Sequence, residues 1–220
     1  YAVTWLQSDG TDNSIYANIY ASSAWGGAQL LETSAASVYP PQISGQQRYT
    51  VVWSQDDGAA TTIYAARNPS SGSWAQPEEL VTRNYFGDSL SPRLAANSKG
   101  ERIGVWSQFE NGRPLPYASI YHDGAWGDSA RVGVDTTVFD VVRPVGNDRG
   151  FVTVWRQQDG SEISMIGAVY EDGAWLAAAP IETGIGNVRG AYDLASNGAT
   201  SAALWIQYDG VADSVFGNVR

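Results

Sequence analysis

The sequence predicts an all-β fold of repeated four-stranded antiparallel sheets, on three observations. Tryptophan recurs at a long fixed period, glutamine stands two residues after each tryptophan of one series, and an Asx-Gly pair follows each of those glutamines. No stretch carries a helical period.

Trp5, Trp53, Trp106, Trp155 and Trp205 are 48, 53, 49 and 50 residues apart, and Trp25, Trp74, Trp126 and Trp175 follow the first four after 20, 21, 20 and 20 residues. Two interleaved series mark an internal repeat of about 50 residues. Each Trp-x-Gln places both side chains on one face of an extended strand, because side chains alternate with period two. Asp9-Gly10, Asp57-Gly58, Asn111-Gly112, Asp159-Gly160 and Asp209-Gly210 then predict tight hairpin turns, since both residue types tolerate positive φ. The next strand carries Ile15-Tyr16-Ala17, Ile63-Tyr64-Ala65, Pro116-Tyr117-Ala118, Met165-Ile166-Gly167 and Val215-Phe216-Gly217. A second turn, such as Asp123-Gly124 or Asp172-Gly173, leads to an outer strand headed by the second Trp series. Pro41-Gln42-Ile43, Pro92-Arg93-Leu94, Arg143-Pro144-Val145 and Tyr192-Asp193-Leu194 open the strand that returns to the next Trp-x-Gln segment.

Four short strands every 50 residues are the signature of a β-propeller blade. A β-helix needs much shorter repeats and immunoglobulin-like arrays about 100 residues each. An open stack of meanders leaves apolar sheet faces uncovered, whereas a ring covers them. The prediction is one propeller domain over residues 1–220, with repeats at approximately 1–47, 48–100, 101–149, 150–199 and a partial 200–220. Counted from the Pro-headed strand, residues 1 to about 33 supply the last three strands of one blade, three whole blades follow, and 191–220 supply three more strands. Two readings stay open: an imperfect five-bladed ring, or a fragment of a larger propeller completed by missing chain segments or another subunit.

Composition narrows the chemistry. Cysteine is absent, so disulfides, thiolate nucleophiles and Cys-type metal sites are excluded. The single histidine, His122, lies in the turn-like Tyr121-His122-Asp123-Gly124 and is read as an exposed turn residue. A net charge of -10, with 13 Lys and Arg against 23 Asp and Glu, disfavours nucleic acid. No apolar run approaches the length of a membrane-spanning helix, so membrane insertion is not expected. The chain opens at Tyr1 without a charged-then-apolar leader, which suits a removed targeting peptide or a piece of something longer. With one Lys and an acidic balance, the expected location is secreted or cell surface.

Candidate ligand-binding residues fall in two groups. Trp25, Trp74, Trp126 and Trp175, with Tyr20, Tyr121 and Tyr170 beside them, can form a sugar-stacking surface, although recurrence in every repeat is also what packing between sheets demands. In the returning strand, the columns Gln42, Arg93, Pro144, Asp193 and Pro41, Pro92, Arg143, Tyr192 vary in kind, as a face turned to a central channel would. Arg93 and Arg143 there can present planar donors to a carboxylate or sugar hydroxyl. The glutamines read as buried amides tying one sheet's backbone to its neighbour. Asp9 with Asp12, Asp159 with Glu162 and Asp209 with Asp213 supply two carboxylates per loop, too few for the six to eight oxygens of calcium. No cofactor is therefore expected, with calcium the one ion considered. No acid pair stands out for glycoside hydrolysis, and no catalytic residue is assigned.

Through Trp-x-Gln-x-Asp-Gly, present four times in full and once in part, followed by Ile-Tyr-Ala and Asp-Gly-x-Trp, the chain resembles secreted bacterial β-propellers with sialidase-like or lectin-like repeats. It lacks the Ser-x-Asp-x-Gly-x-Thr-Trp box of true sialidases; Asp123-Gly124-Ala125-Trp126 keeps only the turn and the tryptophan. The resemblance implies carbohydrate binding in clefts between blades. The expected function is an extracellular, non-enzymatic binding module for a glycan or other cell-surface ligand. A sialidase-like glycoside hydrolase, or its propeller part, and a structural or adhesive segment of a surface protein are the alternatives.

Overall fold

Alternating side chains and Asx-Gly turns produce strands and no helix among the described residues, which are all but 9, 33–35, 46–47, 57, 69–71, 82–88, 134–141, 183 and 185. Asp9 and Asp57 lie outside them. The computed structural model contains five antiparallel sheets in chain order. The first holds β1 (Ala2–Ser8), β2 (Asn13–Ala21), β3 (Ala24–Trp25) and β4 (Gln29–Leu30). The second holds β5 (Gln42–Ser44), β6 (Thr50–Asp56), β7 (Thr61–Arg67) and β8 (Glu78–Glu79). The third runs through β9 (Ser89–Ala96), β10 (Arg102–Glu110), β11 (Arg113–His122), β12 (Ala125–Trp126) and β13 (Ala130–Arg131). The fourth has β14 (Arg143–Gly146), β15 (Gly150–Asp159), β16 (Glu162–Glu171), β17 (Ala174–Trp175) and β18 (Ala179–Pro180). The fifth has β19 (Val188–Ser196), β20 (Ser201–Tyr208) and β21 (Asp213–Val219).

The outer strand, headed by the second Trp series, is broken in three sheets into two short pieces that pair the same neighbour. Between the pieces one bond persists, from Gly26 N to Ile19 O, Gly127 N to Ile120 O and Leu176 N to Val169 O, so this strand is bulged rather than ended. Asn111 and Gly112 both take positive φ (50° and 76°), the geometry of the tight hairpin turn that Asx-Gly favours.

Register explains why the aromatics recur. Trp53 lies opposite Tyr64, Trp106 opposite Tyr117 and Trp205 opposite Phe216, with ring centroids 6.1, 6.5 and 6.4 Å apart. Each indole N–H donates to the glutamine two residues on: Trp53 to Gln55 at 2.9 Å, Trp106 to Gln108 at 3.2 Å, Trp155 to Gln157 and Trp205 to Gln207 at 3.0 Å. The glutamine thus first satisfies its own strand's buried indole, which corrects the expectation of a purely inter-sheet tie. Gln207 does both, since its Nε2 also donates to Gly186 O at 3.0 Å.

Strand alternation divides every sheet into two faces. The Trp face of one sheet packs on the opposite face of the sheet before it. Trp53 and Val51 meet Ile15, Ala17 and Leu31; Trp106 and Tyr117 meet Val52, Ile63 and Leu80; Trp155 and Phe151 meet Ile103, Val105 and Ala118; Trp205 and Tyr192 meet Val154 and Met165. The returning strands β5, β9, β14 and β19 contact one another in succession along one side, so the sheets follow each other as blades do. At Gly146 the approach is so close that a Cβ would lie 2.1 Å from the Ala96 carbonyl oxygen of the preceding sheet, which requires glycine there.

The two remaining faces are open. Ile15, Ile63 and Met165 are fully buried, whereas Val215 at the matching position is 75% exposed, and Leu204, which corresponds to the buried Val52, Val105 and Val154, is 57% exposed. On the first sheet Val3, Leu30 and Trp25 are exposed, and the bond from Trp5 to Gln7 lies at the surface.

Candidate functional site

The strands β9, β14 and β19 position the polar residues of the channel side. Arg93 pairs in register with Val105, Arg143 with Val154 and Asp193 with Leu204, and Gln42 pairs with Val52. Gln42, Arg93, Arg143 and Asp193 therefore form one column, which corrects the expected grouping of Arg143 with Pro41, Pro92 and Tyr192. The turn from the returning strand to the tryptophan strand varies in length, so that partners stand ten residues apart for Gln42 and Val52, twelve for Arg93 and Val105 and eleven for Arg143 and Val154, and linear alignment misassigned Arg143.

Because opposite residues share a face, this column points toward the next sheet, and neighbouring members meet. The Arg143 guanidinium lies over the Tyr192 ring at 5.2 Å, and its Nη1 is 3.6 Å from Asp193 Oδ1. Burial, reinforced by the Arg143 charge, holds the Arg93 guanidinium below its ordinary pKa, with Tyr192 opposing. Arg143 Nε is buried without a hydrogen-bond partner. Two guanidinium groups that feel each other's charge, one carrying an unused donor and facing a single exposed carboxylate, offer the planar donors that a planar anion can accept from.

The aromatic candidates separate into distinct places. Tyr20 and Trp25, Tyr121 and Trp126, and Tyr170 and Trp175 form edge-to-face pairs with centroids 5.4, 5.5 and 5.4 Å apart, one pair per sheet. Trp126, Tyr170 and Trp175 line one cleft of about 370 Å3 between the third and fourth sheets, together with His122 and Asp128. Trp25 stands apart on the open face of the first sheet, 51% exposed. Trp74 packs on the core between the first two sheets. Tyr121 is occupied, because Arg67 covers its ring at 4.4 Å.

Of the acidic hairpin residues, Asp209 serves its own loop, while Asp213 and Glu162 reach other segments. The Asp209 carboxylate accepts from Ala212 N and Val211 N at 2.9 Å and from Ser214 Oγ at 2.8 Å. The bond from Ala212, then those from Ser214 and Val211, holds its pKa below the ordinary value. A depressed pKa contributes stability above the unfolded value that is lost as pH falls through the folded one. Asp209→Asn is thus expected to lower the Tm at neutral pH, where the ionised carboxylate contributes, and to converge on wild type in acid, which flattens the acid limb of the profile, as thermal melts across pH will test. Asp213 is 3.4 Å from Arg189, and Glu162 accepts from Gly186 N at 3.3 Å. Among the described residues no group of three His, Asp or Glu side chains is placed to hold a metal.

No protein-family model and no curated protein matches the chain. Solved structures do. An α-L-arabinofuranosidase of Fusarium graminearum matches 100% of this chain and 71% of its own at 12% identity and a TM-score of 0.56. The NanB sialidase of Streptococcus pneumoniae matches 93% of this chain and 35% of its own at 9% identity and a TM-score of 0.52. A protein of unknown function from Dyadobacter fermentans matches 96% of this chain and 70% of its own at 13% identity and a TM-score of 0.57. At these identities the likeness establishes a common architecture, and the chain has the all-β fold of the propeller type.

Proposed function

We propose that this propeller is a secreted or cell-surface module that binds carbohydrate carrying a carboxylate, through the channel-side arginines. The adjacency of Arg93, Arg143 and Tyr192 carries the reading: two cations and an aromatic ring suit a carboxylate on a sugar ring. Support for a glycan comes from the neighbours, which are named an arabinofuranosidase and a sialidase. The cleft lined by Trp126, Tyr170 and Trp175 can stack further sugar units. The binding reading is preferred to the hydrolytic one because Asp193, the acid in the arginine column, is engaged by Arg143.

Calorimetric titration with a hexuronate oligosaccharide and its neutral counterpart tests this. Binding of the acidic sugar is expected to weaken about tenfold or more in Arg143→Ala, the scale of losing a charged hydrogen bond, with no such change for the neutral sugar. Equal binding of both sugars by wild type and variant would sink it, and turnover of the acidic sugar would replace the binding reading with the enzymatic one. A second reading, a structural or adhesive segment, is favoured by the exposed Leu204, Val215 and Val219. Concentration-dependent self-association abolished by Val215→Glu would support it.

A further inference from the structure

A second concentration of positive charge, sharing no residue with the channel column, lies in a cleft of about 490 Å3 between the second and third sheets. Arg48 from the turn before β6, Arg67 from the end of β7, Lys99 and Arg102 from the turn into β10, and Tyr121 and His122 from the end of β11 meet there. Four of the chain's 13 Lys and Arg thus gather at one place in a protein of net charge -10.

The acids nearby are already matched. Glu78 pairs with Arg67 at 2.9 Å, and His122 sits between Glu101 at 2.9 Å and Asp123 at 3.1 Å. Among the described residues, Arg48, Lys99 and Arg102 have no carboxylate within 4.0 Å. Arg102 is only 8% exposed. Its Nη2 donates to Arg48 O at 2.9 Å and its Nη1 to Gly100 O. The Tyr121 ring lies 5.7 Å beneath Arg102 and 4.4 Å beneath Arg67, which fixes both guanidinium groups.

Among the described residues, three of the eight buried polar side-chain atoms without a hydrogen-bond partner belong to residues that line this cleft. Thr50 Oγ1, Arg67 Nε and Arg102 Nε are buried without any hydrogen-bond partner, and all three residues line it. Such atoms are rare in folded proteins and mark a place where a ligand or ion belongs. A single carboxylate would answer one guanidinium; three cations that meet backbone carbonyls or solvent but no carboxylate, with three buried polar atoms from different strands, suit a more highly charged group.

We propose that this cleft is a binding site for a tetrahedral dianion, a sulfate or phosphate group, gripped by Arg48, Lys99 and Arg102 with Thr50 beneath. The anion bridges the turns before β6 and β10 and so ties the second sheet to the third. Whether it arrives free or as an ester on a larger molecule is a matter of the same chemistry.

Titration of the 220-residue chain with sodium sulfate and sodium phosphate, against sodium chloride at matched ionic strength, tests the site. Saturable one-to-one binding that chloride does not reproduce is expected. Arg102→Ala removes two backbone ties as well as a charge, and Lys99→Ala removes the bond from its Nζ to Arg149 O at 2.7 Å, so the deciding variant is Arg48→Ala, whose side chain is exposed. Arg48→Ala is expected to weaken the dianion about tenfold while the apo Tm stays put. Tighter binding of a sulfated monosaccharide than of inorganic sulfate assigns an ester ligand, and equal binding assigns the free ion; either supports the site. No saturable binding beyond chloride, or binding indifferent to Arg48→Ala, overturns it.

Discussion

Trp155→Ala is expected to lower the unfolding free energy by about 3–5 kcal/mol, the range for emptying a fully buried large aromatic site. The indole is wholly buried between the third and fourth sheets, against Ile103, Val105, Ala118 and Phe151. Its removal also strips Gln157 of the N–H that its Oε1 accepts at 3.0 Å. That leaves a buried amide oxygen unpaired, which costs on the order of 1–3 kcal/mol more unless water enters the cavity. Because whole domains are stable by only about 5–15 kcal/mol, the variant should be largely unfolded at mild urea concentrations where wild type is not. Chemical denaturation followed by tryptophan fluorescence measures the difference. Trp5→Ala, which removes the surface member of the same series, should cost far less; equal losses would mean that the indole contributes within its own strand rather than across the junction.

A second pair of substitutions asks the same question of the aliphatic column. Ile63→Ala is expected to destabilise by about 2–5 kcal/mol, while Val215→Ala, at the matching position of the fifth sheet, should stay within about 0.5 kcal/mol of wild type. Ile63 is completely buried against the third sheet and Val215 faces solvent. Both residues follow the same turn, pair with the residue after the tryptophan and occupy a central place in a long strand, so propensity and local sequence largely cancel in the comparison. Similar losses at the two positions would show that something covers Val215 in solution.

The repeat was legible because each element rests on local chemistry. Trp-x-Gln at spacing two became an indole-to-amide bond within one strand, and Asn111-Gly112 became a turn with two positive φ values. The aromatic of the following strand was readable too, since the short turn fixes the register that sets Tyr64 opposite Trp53. The site was less legible for a physical reason. Arg143 shares a column with Arg93 only once the turn lengths are known, because Arg93 stands twelve residues before its partner Val105 and Arg143 eleven before Val154, and one-residue differences in a turn leave no compositional trace. The cationic cleft depended on contacts between different repeats, such as Arg67 of the second sheet on Tyr121 of the third. Its only signal in the sequence is that Arg48, Lys99 and Arg102 each stand four to seven residues before a series tryptophan, at the entry of a strand.

The two uncovered faces set the order in which the molecule comes apart. When each sheet leans on the one before it through the same pair of surfaces, stability becomes nearly a sum over neighbouring couplings, as in a linear chain of spins. The first and fifth sheets each have one such coupling in this structure and the three between them have two. Opening therefore begins at the flanks and moves inward, so amide protons of β1 and β21 exchange with solvent long before those of β10 and β15.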